Sequence, residues 1–286
     1  MLTYREALAV AVERLCSAKV PSPEWDARML LAHVVGTGHM DIPLDEDAVQ
    51  AETFFNLIAR RATREPLQHI TGLAPFGPLD LEVGPGVFIP RPETESLADW
   101  AVGKLRGLCS PTVVDLCAGS GALAAYIKHY CPQAKIYAVE LSDAALAYTR
   151  RNLEGTDVKI VQGDVCAPDI LAGLDGSVDL IVSNPPYVPE DSDPDNPSLE
   201  PEVYFDPHMA VFSGKTGMDL IPRMLGGIDK LLKPGGYVGI EHDDSTSDAT
   251  QEAMRGAGFA EVSVLCDLAG VARFVTARKP ITTLTS

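Results

Sequence analysis

The segment SNPPY at 183–187 follows the apolar run VDLIV without a break. Proline fixes its own φ, lacks an N–H and holds the preceding residue extended, so Asn184 and Pro185 sit in a stiff turn. A turn of this kind aims the Asn184 carboxamide and the Pro185 carbonyl away from the strand end. Pro186 completes the corner, with Tyr187 beside it as a flat wall. Two fixed acceptors next to an aromatic face suit a planar N–H₂ group. Asparagine and proline are also ordinary turn residues, so these four letters alone are equally consistent with a plain strand-ending turn.

Further upstream, VVDLCAGSGALAA places Asp115 near the end of a strand, then Gly119, Ser120 and Gly121 ahead of a helix. Glycines allow a tight turn and close approach of backbone to ligand. Gly119, Gly121 and Ala124 satisfy the pattern G-x-G-x-x-G/A, and Glu140 follows about twenty residues on, at the end of IYAVE. An acid there hydrogen-bonds a ribose diol in dinucleotide and S-adenosylmethionine enzymes alike, so the pattern alone does not choose between them. Two features favour the methyl donor. An acid at Asp115 would repel a pyrophosphate at the helix N-terminus but suits an α-ammonium group. In VQGDV, Asp164 and the apolar Val165 suit an adenine amino group and ring face.

Composition limits the alternatives. The 286 residues carry 23 Lys+Arg against 40 Asp+Glu, a formal charge of −17, which disfavours broad contact with phosphate backbones. The start, MLTYREALAV, lacks a signal peptide's basic flank and cleavage site, and no apolar run reaches the length of a membrane span, so a cytoplasmic protein is expected. The six cysteines (Cys16, Cys109, Cys117, Cys131, Cys166, Cys266) form no C-x-x-C pair and read as reduced thiols. No histidine spacing indicates a metal.

The elements that must position these groups follow from periodicity. Residues 4–65 read as helices: one from Tyr4, one capped by Ser22 with Pro23 first and Gly36 last, and a third over EDAVQAETFFNLIARRATRE, whose Arg60, Arg61 and Arg64 suit a helix C-terminus or a partner contact. Residues 67–92 read as a β-hairpin and linking loop. After Pro111, seven strands (TVVDL, KIYAVE, VKIV, VDLIVS, GYVGIE, AEVSVL and RFVTAR) alternate with helices until the last pair. This alternation predicts an α/β fold with a mostly parallel seven-stranded sheet, Rossmann-like, its last two strands antiparallel. The expected division is a helical domain at 1–66, a hairpin linker at 67–92 and a cofactor-binding domain at 93–286.

The motifs DLCAGSGA, AVELS, GDV and SNPPY, with FIPRPETE upstream and LLKPGGYVGIEH downstream, resemble the class I methyltransferases that modify the glutamine of the Gly-Gly-Gln motif in peptide-chain release factors, the PrmC or HemK type. The likeness covers nearly the whole chain, including the helical amino-terminal part. NPPY by itself is shared with enzymes that methylate bases. The resemblance implies a cofactor site at Ala118, Gly119, Ser120 and Gly121, with Glu140 at the ribose, Asp164 and Val165 at the adenine, and Asn184 between cofactor and substrate. It implies S-adenosyl-L-methionine as cofactor, release factors as partners, and a substrate segment at Asn184, Pro185, Pro186 and Tyr187. Cys117, Glu140 and Asp243 depart from the family's more usual glycine, aspartate and glycine.

Arg91, between two prolines, reads either as a clamp on a neighbouring acid or as a substrate-side group. Glu241 and His242 read as strand-end polar groups without chemistry. The Asp- and Pro-rich loop at 189–207 is expected to cover the site. Three other readings remain open: a base N-methyltransferase that grips an exocyclic amine, a non-catalytic scaffold for release factors, and a nicotinamide oxidoreductase.

Overall fold

Four helices build the first part of the chain: α1 (Tyr4–Ser17), α2 (Pro23–Val35), α3 (Ala51–Ala62) and the single turn α4 (Leu67–Thr71). The computed structural model describes residues 2–190 and 199–281. Thr3 and Glu6 close a reciprocal capping box on α1, the Thr3 N–H donating to Glu6 Oε2 at 2.9 Å. Ser22 makes no side-chain cap bond on α2. Pro23 opens that helix, and Gly36 ends it in the left-handed region at φ 76°, its N–H bonded to Ala32 O.

Helix α3 is shorter than its pattern predicts. Residues 44–48 pair instead with the chain start, through Arg5 N–H to Leu44 O at 2.8 Å and Ala48 N–H to Leu2 O at 2.8 Å. This pairing is long-range, so local propensity does not show it. The hairpin reading of 67–92 also needs correction at its start, where 67–71 are helical. Ile70 belongs to the apolar core of this unit, which is formed with Leu15, Leu30, Leu31, Phe54 and Ile58, and the half-buried Leu67 packs against it. The unit spans Met1–Leu73 and takes in Glu200–Phe205 from far along the chain.

The other unit covers Ala74–Leu199 and Asp206–Ser286. β1 (Leu73–Phe76) and β2 (Leu79–Glu82) form a hairpin. After α5 (Glu95–Leu105), strands and helices alternate: β3 (Thr112–Leu116), α6 (Ala122–Tyr130), β4 (Lys135–Glu140), α7 (Asp143–Asn152), β5 (Lys159–Gln162) and β6 (Val178–Ser183). The chain continues through α8 (His208–Val211), α9 (Ile221–Leu231), β7 (Leu232–Glu241), α10 (Ser247–Gly256), β8 (Ala260–Cys266) and β9 (Ala272–Arg278).

The seven strands run in the order β5-β4-β3-β6-β7-β9-β8, and β9 is antiparallel to both of its neighbours. Two apolar layers cover the faces, one with Leu97, Ala101 and Ile127, the other with Met224, Ile228 and Met254. This is the class I methyltransferase architecture expected from the sequence. The order reverses between β3 and β6, the switch point beside which open α/β sheets bind ligands. Among the described residues, no helix is long and apolar enough to cross a membrane.

Candidate active site

Strand register brings the candidate residues together. Leu116 pairs with both Val139 and Ser183, and Ser183 pairs with Ile240. The residues that follow these partners, Cys117, Glu140, Asn184 and Glu241, therefore leave the sheet side by side. Ser183 locks the register by donating its hydroxyl to Leu116 O at 2.7 Å.

A pocket enclosing about 1010 Å³, including its open mouth, lies at these strand ends. Its lining includes Asp115, Ala118, Gly119, Ser120, Glu140, Asp164, Val165, Asn184 and Pro186. Gly121, Pro185, Tyr187 and Arg91 lie outside the lining. Gly121 serves the turn: its φ is 83°, and a Cβ there would sit 3.2 Å from Thr149. At Gly119, a Cβ would meet no atom within 4 Å. Cys117 occupies the left-handed region at φ 61°, which explains why glycine suits that position. Burial raises its thiol well above the ordinary range.

The acids divide the work. Asp115 is 1% exposed; its Oδ2 accepts from Ala124 N–H at 3.1 Å, capping α6, while Oδ1 is buried without a partner. Burial, with Glu140 adding to it, pushes this carboxyl up to about 8. Glu140 accepts from Gly119 N–H at 2.7 Å and from Leu141 and Ser142 N–H at 2.8 Å each, so it fixes the glycine loop as well as facing the pocket. A carboxylate has about four acceptor sites, which leaves Glu140 capacity for a ligand hydroxyl. Asp164 accepts from Cys166 N–H at 2.8 Å, and the adjacent Val165 is buried at the pocket wall. The partnerless oxygen of Asp115, the anchored Glu140 and the Asp164–Val165 pair fit the ammonium, ribose and adenine parts of S-adenosylmethionine.

Asn184 is held from behind. Its Nδ2 donates to Thr94 Oγ1 at 3.2 Å, and Thr94 donates to Glu241 Oε2 at 2.7 Å. The Tyr187 hydroxyl donates to Glu241 Oε1 at 2.9 Å, which ties the ring to that acid. Glu241 is 1% exposed, and burial pushes it up to about 7. The sequence reading therefore missed both Thr94 and Glu241. Thr94 lies inside the IPRPETE motif, whereas nothing local marks Glu241. Gly217 is a further support: at φ 73°, a Cβ there would lie 2.1 Å from Tyr187 O, so only glycine lets this loop lie against the corner.

Arg91 takes the clamp role, bonding Asp206 Oδ2 at 2.5 Å with its guanidinium 4.8 Å from the Phe88 ring centre. Asp206 also accepts from Ile89 N–H at 3.2 Å and precedes the pocket residues Pro207, Met209 and Ala210. His242 faces Asp243 O through Nδ1, and burial lowers its pKa. Asp243 caps the next turn through Ser245 N–H at 3.0 Å. In the 189–207 loop, residues 191–198 lie outside the described residues, and 200–205 belong to the helical unit.

Residues 6–72 match the family described as PrmC N-terminal domain, and residues 97–196 match the methyltransferase small domain. The chain is 56% identical over 284 residues to the release factor glutamine methyltransferase of Corynebacterium glutamicum, a match covering 98% of this chain and 100% of that one. It is 47% identical over 283 residues to the protein of the same name from Mycolicibacterium smegmatis, covering 98% and 99%. A solved methyltransferase from Pyrococcus furiosus, 20% identical, aligns with a TM-score of 0.50 over 72% of this chain and 91% of that one, a likeness of fold.

Proposed function

The chain belongs to the release factor glutamine methyltransferase family, and we propose on that footing that it methylates the side-chain amide nitrogen of the Gly-Gly-Gln glutamine in peptide-chain release factors. The observation that carries this reading is the fixed Asn184 carboxamide, at the end of β6 in the wall of a pocket that also holds Asp115, Glu140 and Asp164. S-adenosylmethionine, when bound, supplies a methyl group made electrophilic by its sulfonium.

The protein's own part is binding and alignment. Asp115 Oδ1 would take the ammonium group, Glu140 a ribose hydroxyl, and Asp164 with Val165 the adenine. An amide nitrogen is a poor nucleophile, because its lone pair is delocalised into the carbonyl. Asn184 Oδ1 and the Pro185 carbonyl accept its two N–H groups. They hold the nitrogen in line and stabilise the positive charge that grows on it. The spare proton leaves to water after transfer.

Labelled-methyl transfer to purified release factor, RNA and DNA tests the assignment. Label on the release factor alone, located on the motif glutamine by tandem mass spectrometry, is the expected result. Label on a nucleic acid, or on another residue type, would overturn it.

A further inference from the structure

Taking the amide-methylation reading as given, we infer that Thr94 is a positioning residue whose hydroxyl, oriented by Glu241, decides which end of the Asn184 carboxamide meets the substrate. A carboxamide has two nearly isosteric ends with opposite chemistry: an oxygen that accepts and an N–H₂ that donates. Only the oxygen can receive an N–H from a glutamine side chain. Rotating Asn184 by half a turn would put two donors against each other at the reacting nitrogen.

Hydrogen bonds behind Asn184 settle its orientation. Both oxygens of Glu241 accept, Oε1 from the Tyr187 hydroxyl and Oε2 from Thr94. The Thr94 proton is therefore committed to Glu241. What Thr94 has left to offer Asn184 is a lone pair, and it takes Nδ2–H at 3.2 Å. The chain runs in one direction, from Asn184 through Thr94 to Glu241, and leaves Oδ1 as the free end.

Glu241 does not line the pocket, so it reaches Asn184 through Thr94. Its position depends on the β6–β7 register, which sets Glu241 beside Asn184. Thr94 does line the pocket, in the short turn ahead of α5.

Two substitutions separate this role from packing. Thr94→Val keeps the branched shape and removes the hydroxyl; Thr94→Ser keeps the hydroxyl and removes a methyl. With release factor as substrate and cofactor saturating, Thr94→Val should lower kcat by roughly tenfold or more, less than the roughly 100- to 1,000-fold expected when the oriented contact itself is removed. Its S-adenosylmethionine affinity by calorimetry should stay within about twofold of wild type, and Thr94→Ser should recover most of the rate. Wild-type kcat in Thr94→Val would overturn the inference. So would an equal loss in Thr94→Ser, or a loss of cofactor affinity that matches the loss of rate. A wild-type chain that binds the cofactor yet transfers nothing to release factor would overturn the amide reading itself, and the inference with it.

Discussion

In the helical unit, buried acids are answered by arginines. Asp26 and Glu202 each meet Arg61 at 2.7 Å, and Glu202 also meets Arg64 at 2.6 Å. In the sheet unit, Asp115, Glu140 and Glu241 take their hydrogen bonds from backbone N–H and hydroxyl groups instead. Burial raises Asp26 despite Arg61; at Glu202 burial also pushes up, but the bonds from Arg64 and Arg61 outweigh it and hold that carboxyl below the ordinary value. In the pocket burial prevails, and Asp115 and Glu241 are raised to about 8 and about 7. One set of acids has its charge answered by arginines within the fold. The other keeps acceptor capacity, which suits groups that meet a cation or orient a donor.

The largest expected effect lies in the paired set. Arg61→Met would strand Asp26 and leave Glu202 to Arg64 alone, and breaking a buried pair such as Arg61–Asp26 costs about 3–5 kcal/mol. Urea unfolding followed by Trp25 fluorescence should show that loss in the helical unit, while cofactor affinity stays at the wild-type value. Weakened cofactor binding would show that the two acid sets are not independent.

Next comes the corner. Asn184→Ala should slow transfer by roughly 100- to 1,000-fold, about 2.7–4 kcal/mol, by analogy with loss of one oriented electrostatic contact. Cofactor affinity should change little. Equal loss of both would make Asn184 a pocket-shaping residue.

Asp115 gives a smaller but specific signal. Held up to about 8, it is mostly protonated at pH 7, and an ammonium group beside it favours the ionised form. Cofactor binding at pH 7 should therefore expel roughly one proton, measured by calorimetry in buffers of different ionisation enthalpy. Asp115→Asn should abolish the release. An unchanged proton count in that variant would place the ammonium elsewhere.

The mildest effect concerns stability against pH. Asp115, Glu241 and Asp206 are raised to about 8, 7 and 6 in the folded chain, each above its unfolded value. The native state then binds more protons than the unfolded one between about pH 4 and 8, so stability falls as pH rises through that window. Thermal melts from pH 5 to 8 should show a declining midpoint, and saturating cofactor should flatten the part owed to Asp115.

What the sequence disclosed was local. Pro23 and Gly36 mark helix ends because their backbone preferences act within a few residues, and the alternation after Pro111 yields the sheet because each strand carries its own pattern. Gly119, Gly121 and the prolines after Asn184 are legible for the same reason. The spacing predicts helix from Glu46, but 46–48 pair with the chain start, a contact that helical spacing cannot reveal. Arg61 and Arg64 read as a helix end, yet their partners Glu200 and Glu202 lie more than a hundred residues away. Glu241 looked like an ordinary strand-end acid, since its link to Asn184 exists only once β6 and β7 are in register. Pairing partners and the groups behind a site come from tertiary contact, and the sequence carries no local mark of them.

The most direct measurement is a structure of the chain with a release factor and the demethylated cofactor bound. Asn184 Oδ1 and the Pro185 carbonyl should each lie within hydrogen-bond distance of the glutamine amide nitrogen, with that nitrogen facing the cofactor's sulfur. A glutamine bound away from these two oxygens, or a corner turned towards bulk solvent, would contradict the proposed mechanism.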